Sequence, residues 1–240
     1  MSQIIGLGGF SGSGKSSSLA YLDPKETFII SCTPKQLSIR GFRKNYKKLS
    51  QTKVKNKEGK EVVKIEGNWF YSNDFTKVEN IMKIVDTKMP HIKVLVIDDA
   101  NYLLSQELMS RALEKGYDKH TELAMHYYTL LTDAMNLRDD LVVVFISHIV
   151  NDGNDLDPSY KLFTTGKLLD RSVNIDGMFN YLFYAEKLID SVTNEVSYKF
   201  RTHSLGKDTC RSTAGCFEDM YIEPNMKAVI DRINEFENED

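Results

Sequence analysis

The chain has 240 residues, 41% hydrophobic and 27% charged, the ordinary make-up of a soluble globular protein with one α/β core or at most two small ones. It opens without the basic and apolar regions of a signal peptide, has no apolar run long enough to cross a bilayer, and carries three cysteines without metal-ligand spacing. Those features exclude a secreted disulfide scaffold and a membrane span and fit a cytoplasmic protein with free thiols, while a net charge of −3 conceals a basic segment on an acidic body.

Gln3–Gly8 reads as an apolar strand entering a glycine-rich turn, and Lys15–Tyr21 as the start of a helix. The turn, Gly9-Phe-Ser-Gly-Ser-Gly-Lys15-Ser16, satisfies G-x-x-x-x-G-K-[ST]. Glycines let backbone N–H groups wrap phosphates without Cβ clashes, and a helix N-terminus adds the positive end of its dipole. Lys15 then reaches the β- and γ-phosphates and the Ser16 hydroxyl ligates magnesium. Nucleotide contacts are expected from Gly9, Phe10, Ser11, Gly12, Ser13, Gly14, Lys15, Ser16 and Ser17, with ATP and Mg²⁺ as ligands.

Thr27–Cys32 is a β-branched, buried strand. From Lys35 to Lys64 the chain carries eleven Lys/Arg against two Glu, which suggests a polyanionic partner. Within it, Lys53–Ile65 alternates around Asn56-Lys57-Glu58-Gly59 and reads as a basic β-hairpin, the core of an insertion over about 35–66. Arg40, Arg43, Lys44, Lys47, Lys48, Lys53 and Lys55 are candidates to neutralise the phosphates of single-stranded DNA, and Phe42 and Tyr46 to stack on its bases. A solvated charged hairpin explains the same residues without a partner.

Trp69–Ser72 is a short strand, and Asp74–Lys88 a helix with Asp74 as N-cap. Val94–Ile97 is a continuous apolar strand ending in Asp98-Asp99. With a phosphate loop upstream, Asp98 becomes the magnesium carboxylate, and Asp99 either the general base or a loop cap. Tyr102–Glu114 and His120–Leu137 read as helices. Leu141–Ser147 is a third buried strand, and Ser147 and His148 at its carboxyl end are candidate sensors of the γ-phosphate, since ligands sit at that edge of open α/β sheets. The plain alternative is a capped strand with a solvent-facing histidine. The loop Asn151–Asn174, with Tyr160, Lys161, Phe163 and Lys167, is the second nucleic-acid candidate. Met178–Glu186, Glu195–Thr202 and Tyr221–Glu223 read as strands, Asn225–Phe236 as a closing helix, and 235–240 as an acidic tail. Lys207 and Arg211 are candidates for a cationic finger reaching a neighbouring subunit's nucleotide. Strands alternating with helices argue for βαβ units, a mostly parallel sheet flanked by helices, and one domain over 1–240.

The succession of motifs resembles the small RecA-like ATPases encoded by bacteriophages, one group of which is described as single-strand annealing proteins of phage recombination. The resemblance covers nearly the whole chain. It runs through Gly9–Ser16, Thr27-Phe-Ile-Ile30 with Arg40-Gly41, and Val96-Ile-Asp98-Asp99. It continues in Gly116-Tyr-Asp-Lys119, Asn136-Leu-Arg-Asp139 with Ser147-His148, Gly166-Lys-Leu-Leu-Asp170, Gly177-Met-Phe179 and Thr213-Ala-Gly-Cys-Phe-Glu218. It implies a RecA-like P-loop NTPase core and ATP hydrolysis. Its implied partners are single-stranded DNA, held by loops after the central strands, further copies of the chain with nucleotide at the subunit contacts, and a single-strand-binding protein. The setting would be the host bacterial cytoplasm. Two features depart from the pattern. Ser31-Cys-Thr-Pro-Lys35 lacks the glutamate base that RecA-type enzymes carry after that strand, and Arg211-Ser-Thr replaces a Lys-Ser-Pro segment. Two rivals remain open on the residues: a nucleotide-switched loader or adaptor with little turnover, and a P-loop phosphotransferase.

Overall fold

The apolar runs assemble into one eight-stranded sheet in a computed structural model that describes residues 1–55, 60–154, 156–166 and 168–239. In chain order, β1 (Gln3–Gly8) and β2 (Thr27–Ser31) are followed by the four-residue helix α1 (Phe42–Asn45), the hairpin β3 (Ser50–Lys55) and β4 (Glu61–Glu66), and β5 (Trp69–Tyr71). Then come α2 (Phe75–Lys88), β6 (Val94–Asp98), α3 (Asn101–Ser110), α4 (Asp118–Met135) and β7 (Val142–Ser147). A small hairpin of β8 (Ile149–Asn151) and β9 (Tyr160–Leu162) precedes β10 (Tyr181–Ile189), β11 (Val196–Arg201), β12 (Tyr221–Ile222) and α5 (Met226–Glu237).

The sheet order is β12-β11-β10-β1-β7-β6-β2-β5. Pairing is parallel from β10 to β5 and antiparallel at β10–β11 and β11–β12. The register aligns the carboxyl ends of the inner strands, with Gly8 opposite Ser147 and Ser31 opposite Asp98. β2, β6 and β7 are buried along their whole length, as central strands of a parallel sheet covered on both faces must be. One face packs under α2, α3 and α4 through residues such as Val78, Leu103, Leu123 and Leu130. The other packs under α5, through Val229 and Ile233, together with Leu19 and Phe42. The result is a mixed α/β architecture with a large, mostly parallel sheet flanked by helices. No helix among the described residues is long and apolar enough to cross a membrane.

Several elements differ from the sequence expectation. The segment after the glycine-rich turn is helical, as its pattern predicts, but as six residues of 3-10 helix, Ser16–Tyr21. Its serines compete for the backbone, since Ser18 Oγ donates to the Lys15 carbonyl at 2.6 Å, and Asp23 before Pro24 is biased toward extended geometry. α3 stops at Ser110 because Arg111 is drawn into ion pairs with Glu107, Glu114 and Glu122, and Lys119 Nζ caps the carbonyls of Arg111 and Glu114. The first of the three late strands begins at Tyr181 rather than Met178, after a 3-10 turn over Asp176–Met178 whose Asp176 carboxylate accepts from Leu162 N and Thr209 Oγ1. The basic hairpin does form, as a separate two-stranded ribbon whose β3 side chains, Lys53 and Lys55 among them, are all exposed. Its expected turn, Asn56-Lys57-Glu58-Gly59, lies outside the described residues, as does Asp240 of the acidic tail.

Arg138 shows how the helical layer is locked to the sheet. Its guanidinium donates to the carbonyls of Val85 and Asp86 at 2.8 and 2.9 Å, of Met89 at 3.3 Å, and of Ile92. These are the last carbonyls of α2 and of the turn into β6, where, among the described residues, Val85 O and Met89 O otherwise accept only from Met89 N at 3.3 Å and Ile92 N at 3.0 Å. Arg138→Met is expected to lower unfolding free energy by about 2–4 kcal/mol, because several carbonyls lose a charged donor at once. A thermal melt within a degree of wild type would contradict this.

Candidate functional site

The carboxyl ends of β1, β7, β6 and β2 converge at one edge of the sheet, and the polar residues that follow them form a single cluster. The loop after β1 holds Gly12 and Gly14 at φ of 77° and 93°, the left-handed region that a Cβ disfavours. Successive N–H groups in such a loop turn inward to make a concavity for anions. Because the segment behind the loop is a short 3-10 helix, the cradle depends on these backbone amides more than on a helix dipole.

Lys15 is buried and folds over its own loop, donating to the carbonyls of Gly9 at 2.7 Å and Phe10 at 2.9 Å. Burial pulls its ammonium down to about 8, against the raising charges of Asp99 and Asp98. Ser16 Oγ donates to Asp98 Oδ1 at 3.1 Å and so ties the loop to the end of β6. Burial pushes the Asp98 carboxyl up to about 7, the neighbouring Asp99 charge adding to the shift and the Ser16 hydroxyl opposing it. Asp99 stands at φ 60°, a strained conformation for a residue other than glycine, and it is fully buried. The backbone there is held by Ala100 N donating to Ile146 O at 2.8 Å, which turns both carboxylates toward the loop region.

Three groups converge on Asp99. Lys35 Nζ lies 2.6 Å from Oδ2, Thr33 Oγ1 donates to the same oxygen at 3.2 Å, and His148 Nε2 lies 3.6 Å from Oδ1. Burial alone would lower the Lys35 ammonium, but the hydrogen bond and charge of Asp99 raise it overall. The His148 imidazole is held below its ordinary value by burial and then by the Lys15 charge, and the His148 backbone N–H donates to Asn101 Oδ1 at 3.0 Å. A cavity of about 210 Å³ joins these groups, lined by the loop from Ser11 to Ser17, by 35–38, and by Asp99 and His148. The hydroxyl of Ser13 is buried in the loop without a hydrogen-bond partner, which marks the cradle as built for a ligand with acceptor oxygens.

Asp98 and Ser16 offer two hard oxygens side by side, the donor type that Mg²⁺ takes. Among the described residues no group of three or more His, Cys, Asp or Glu could hold a metal unaided, so an ion here would draw its remaining ligands from water and phosphate. The residues fit such an ion.

The structure therefore gathers Gly9 to Ser17, Asp98, Asp99 and His148, and it separates Ser147, which is buried at the end of β7 and does not line the cavity. Lys35 and Thr33 were missing from the sequence reading of this site. Their signal was position alone, directly after a buried strand at the carboxyl edge. Of the finger candidates, Arg211 exchanges backbone hydrogen bonds with Leu182 in β10, and Lys207 pairs with Asp157 at the rim of a second cavity.

The nucleic-acid candidates divide. Arg40, Arg43, Lys44, Lys47 and Lys48 are exposed, and Arg43, Lys47 and Lys48 line a cavity of about 400 Å³ with Trp69. Phe42 and Tyr46 are not stacking platforms for bases: they are buried, stacked on each other at 5.2 Å, and packed in the core against Trp69. Tyr160 packs edge-on against Phe10 at 5.7 Å, Phe163 is half-buried, and Lys161 pairs with Asp152 at 3.0 Å. Lys167 lies outside the described residues. The chain matches no known protein-family model and no curated protein.

The raised Asp98 carboxyl has a consequence for stability. A folded-state value near 7 above an ordinary 3.8 means that ionisation opposes folding, so this contribution is lost as pH rises from about 4 to 7. In metal-free buffer Asp98→Asn is expected to gain about 2–4 kcal/mol on wild type across that interval, read as diverging melting temperatures. Parallel pH profiles would contradict it.

Proposed function

We propose that the chain is a magnesium-dependent P-loop ATPase of the RecA-like class that acts on single-stranded DNA. The observation that carries this reading is the 3.1 Å bond between Ser16 and Asp98, 82 residues apart, which brings the phosphate loop onto the acidic end of a strand two places away in the sheet. The order of motifs along the chain and the parallel sheet that bears them support the RecA-like class.

On this reading the loop amides bind the phosphate chain, and Lys15 leaves the Gly9 and Phe10 carbonyls for the β- and γ-phosphate oxygens. Ser16 and Asp98 would hold magnesium, which offsets charge on the transferring phosphoryl group. Asp99 orients the attacking water and takes its proton, which requires Lys35 to swing away. Lys35 is half-exposed in the phosphate cavity and can then follow the γ-phosphate. It supplies in cis a cation that Arg211 or Lys207 of a neighbouring copy would otherwise bring. Hydrolysis yields ADP and inorganic phosphate. The exposed cations at 40–48 and on the β3–β4 ribbon are the expected contacts for the strand.

One observation favours a second reading, a nucleotide-switched loader or adaptor. Asp99 is engaged by Lys35, Thr33 and His148 together, and no carboxylate follows β2, so turnover can be slow enough for binding alone to matter.

Steady-state ATP hydrolysis with and without single-stranded DNA, over a salt series, tests the proposal. Wild type should turn over, DNA should stimulate it, salt should remove the stimulation, and Lys15→Ala should lose about 10²-fold or more. Lys35→Ala should lose about tenfold in kcat with a smaller change in KM, and Lys35→Arg should recover part of it. ATP binding with a near-zero rate indifferent to DNA would overturn the ATPase reading and leave the switch.

A further inference from the structure

A second and larger cavity of about 750 Å³ opens on the outer side of the phosphate loop. Its floor is Tyr184 and Ile149, which belong to the core under α2–α4, and its wall is Tyr160 of β9. The loop itself contributes Phe10, 52% exposed and set edge-on to Tyr160, and the mouth carries Leu205, 63% exposed. Apolar side chains grouped at a cavity mouth mark a place where something is covered.

The polar groups narrow the ligand. Arg201 is buried and fixed, its Nε 2.6 Å from Glu186 Oε1 and its Nη1 2.9 Å from Asp208 Oδ2, with its guanidinium 5.2 Å from the centre of the Tyr184 ring. Lys207 is neutralised by Asp157. Lys187, Arg201 and Lys207 thus face Asp157, Glu186 and Asp208, and the lining has no net charge with which to draw a phosphate. Tyr184 is fully buried with the Arg201 guanidinium over its ring, so what remains for a ligand is two aromatic rings, Phe10 and Tyr160, beside a carboxylate, Glu186, that Arg201 orients through Oε1. That combination suits a planar heterocycle carrying an N–H edge, because rings stack on rings and an exocyclic amine donates to a carboxylate.

We propose that this cavity is a nucleobase-binding site, separate from the phosphate cradle and sharing the phosphate loop with it through Phe10. A base seated there touches the outer side of the loop whose inner side faces the phosphates, so the two sites are mechanically adjacent. The inference stands whether or not ATP is hydrolysed; only the identification of the base as part of a strand rests on the single-stranded DNA reading.

The test uses 2-aminopurine, whose fluorescence changes on stacking. The full chain is titrated against free 2-aminopurine riboside and, separately, against oligo-dT with one internal 2-aminopurine, both with excess magnesium and a non-hydrolysable ATP analogue to fill the phosphate loop. At least one probe should bind saturably, and Tyr160→Leu, which keeps apolar bulk but loses the ring, should weaken it about tenfold or more. Leu205→Glu, a change at an exposed loop position that leaves the fold intact, should weaken it similarly. Binding of both probes assigns the site to a base as such, and binding of the oligonucleotide alone assigns it to a base within a strand. No saturable signal from either probe, or affinities unchanged in both variants, would overturn the proposal.

Discussion

Two adjacent carboxylates buried at the end of one strand are the constraint on which the rest of the site depends. Holding Asp98 so that its carboxyl rises from 3.8 to about 7 costs roughly 4 kcal/mol when it is ionised at neutral pH, a large share of the stability of an ordinary domain. The chain does not relieve this by moving the acids into water. It surrounds them with Ser16 and Lys15 from one loop, Thr33 and Lys35 from another, and His148 from a third. Stored electrostatic cost of this kind is what a divalent cation and a charged ligand can release on binding.

The sheet order makes that enclosure geometrically available. β7 lies between β1 and β6, so the glycine-rich loop and the acid pair are separated by one strand and His148 fills the gap between them. Had β6 paired directly with β1, no strand end would stand between loop and acids. The left-handed backbone at Asp99 adds the last adjustment, since an ordinary strand continuation would carry its carboxylate past the site.

The sequence was most legible where one physical requirement dictates residue type. Continuous apolar runs became β1, β2, β6 and β7 almost residue for residue, and the glycines of Gly9–Ser16 mark a loop whose Gly12 and Gly14 do stand at positive φ. It was least legible where tertiary contacts decide. Phe42 and Tyr46 sit in a lysine-rich stretch that reads as a surface, yet each fills the core beside Trp69, because a basic segment can still bury alternate rings. Ser147 and His148 are neighbours in the chain, but strand pleating buries one and leaves the other on the cavity. Lys35 reads as one basic residue among eleven, and only the approach of β2 to β6 shows that it faces Asp99.

The most direct test of the central claim, that the loop and the acid pair form one site for a magnesium-bound triphosphate, is calorimetric titration of the metal-free protein with ATP, with and without added Mg²⁺. The account predicts one site per chain whose affinity falls at least about tenfold when magnesium is withheld, with AMP binding far more weakly than ATP, because the cradle holds phosphates and the Ser16–Asp98 pair holds the ion. Equal affinity for ATP and AMP, or binding indifferent to magnesium, would contradict it.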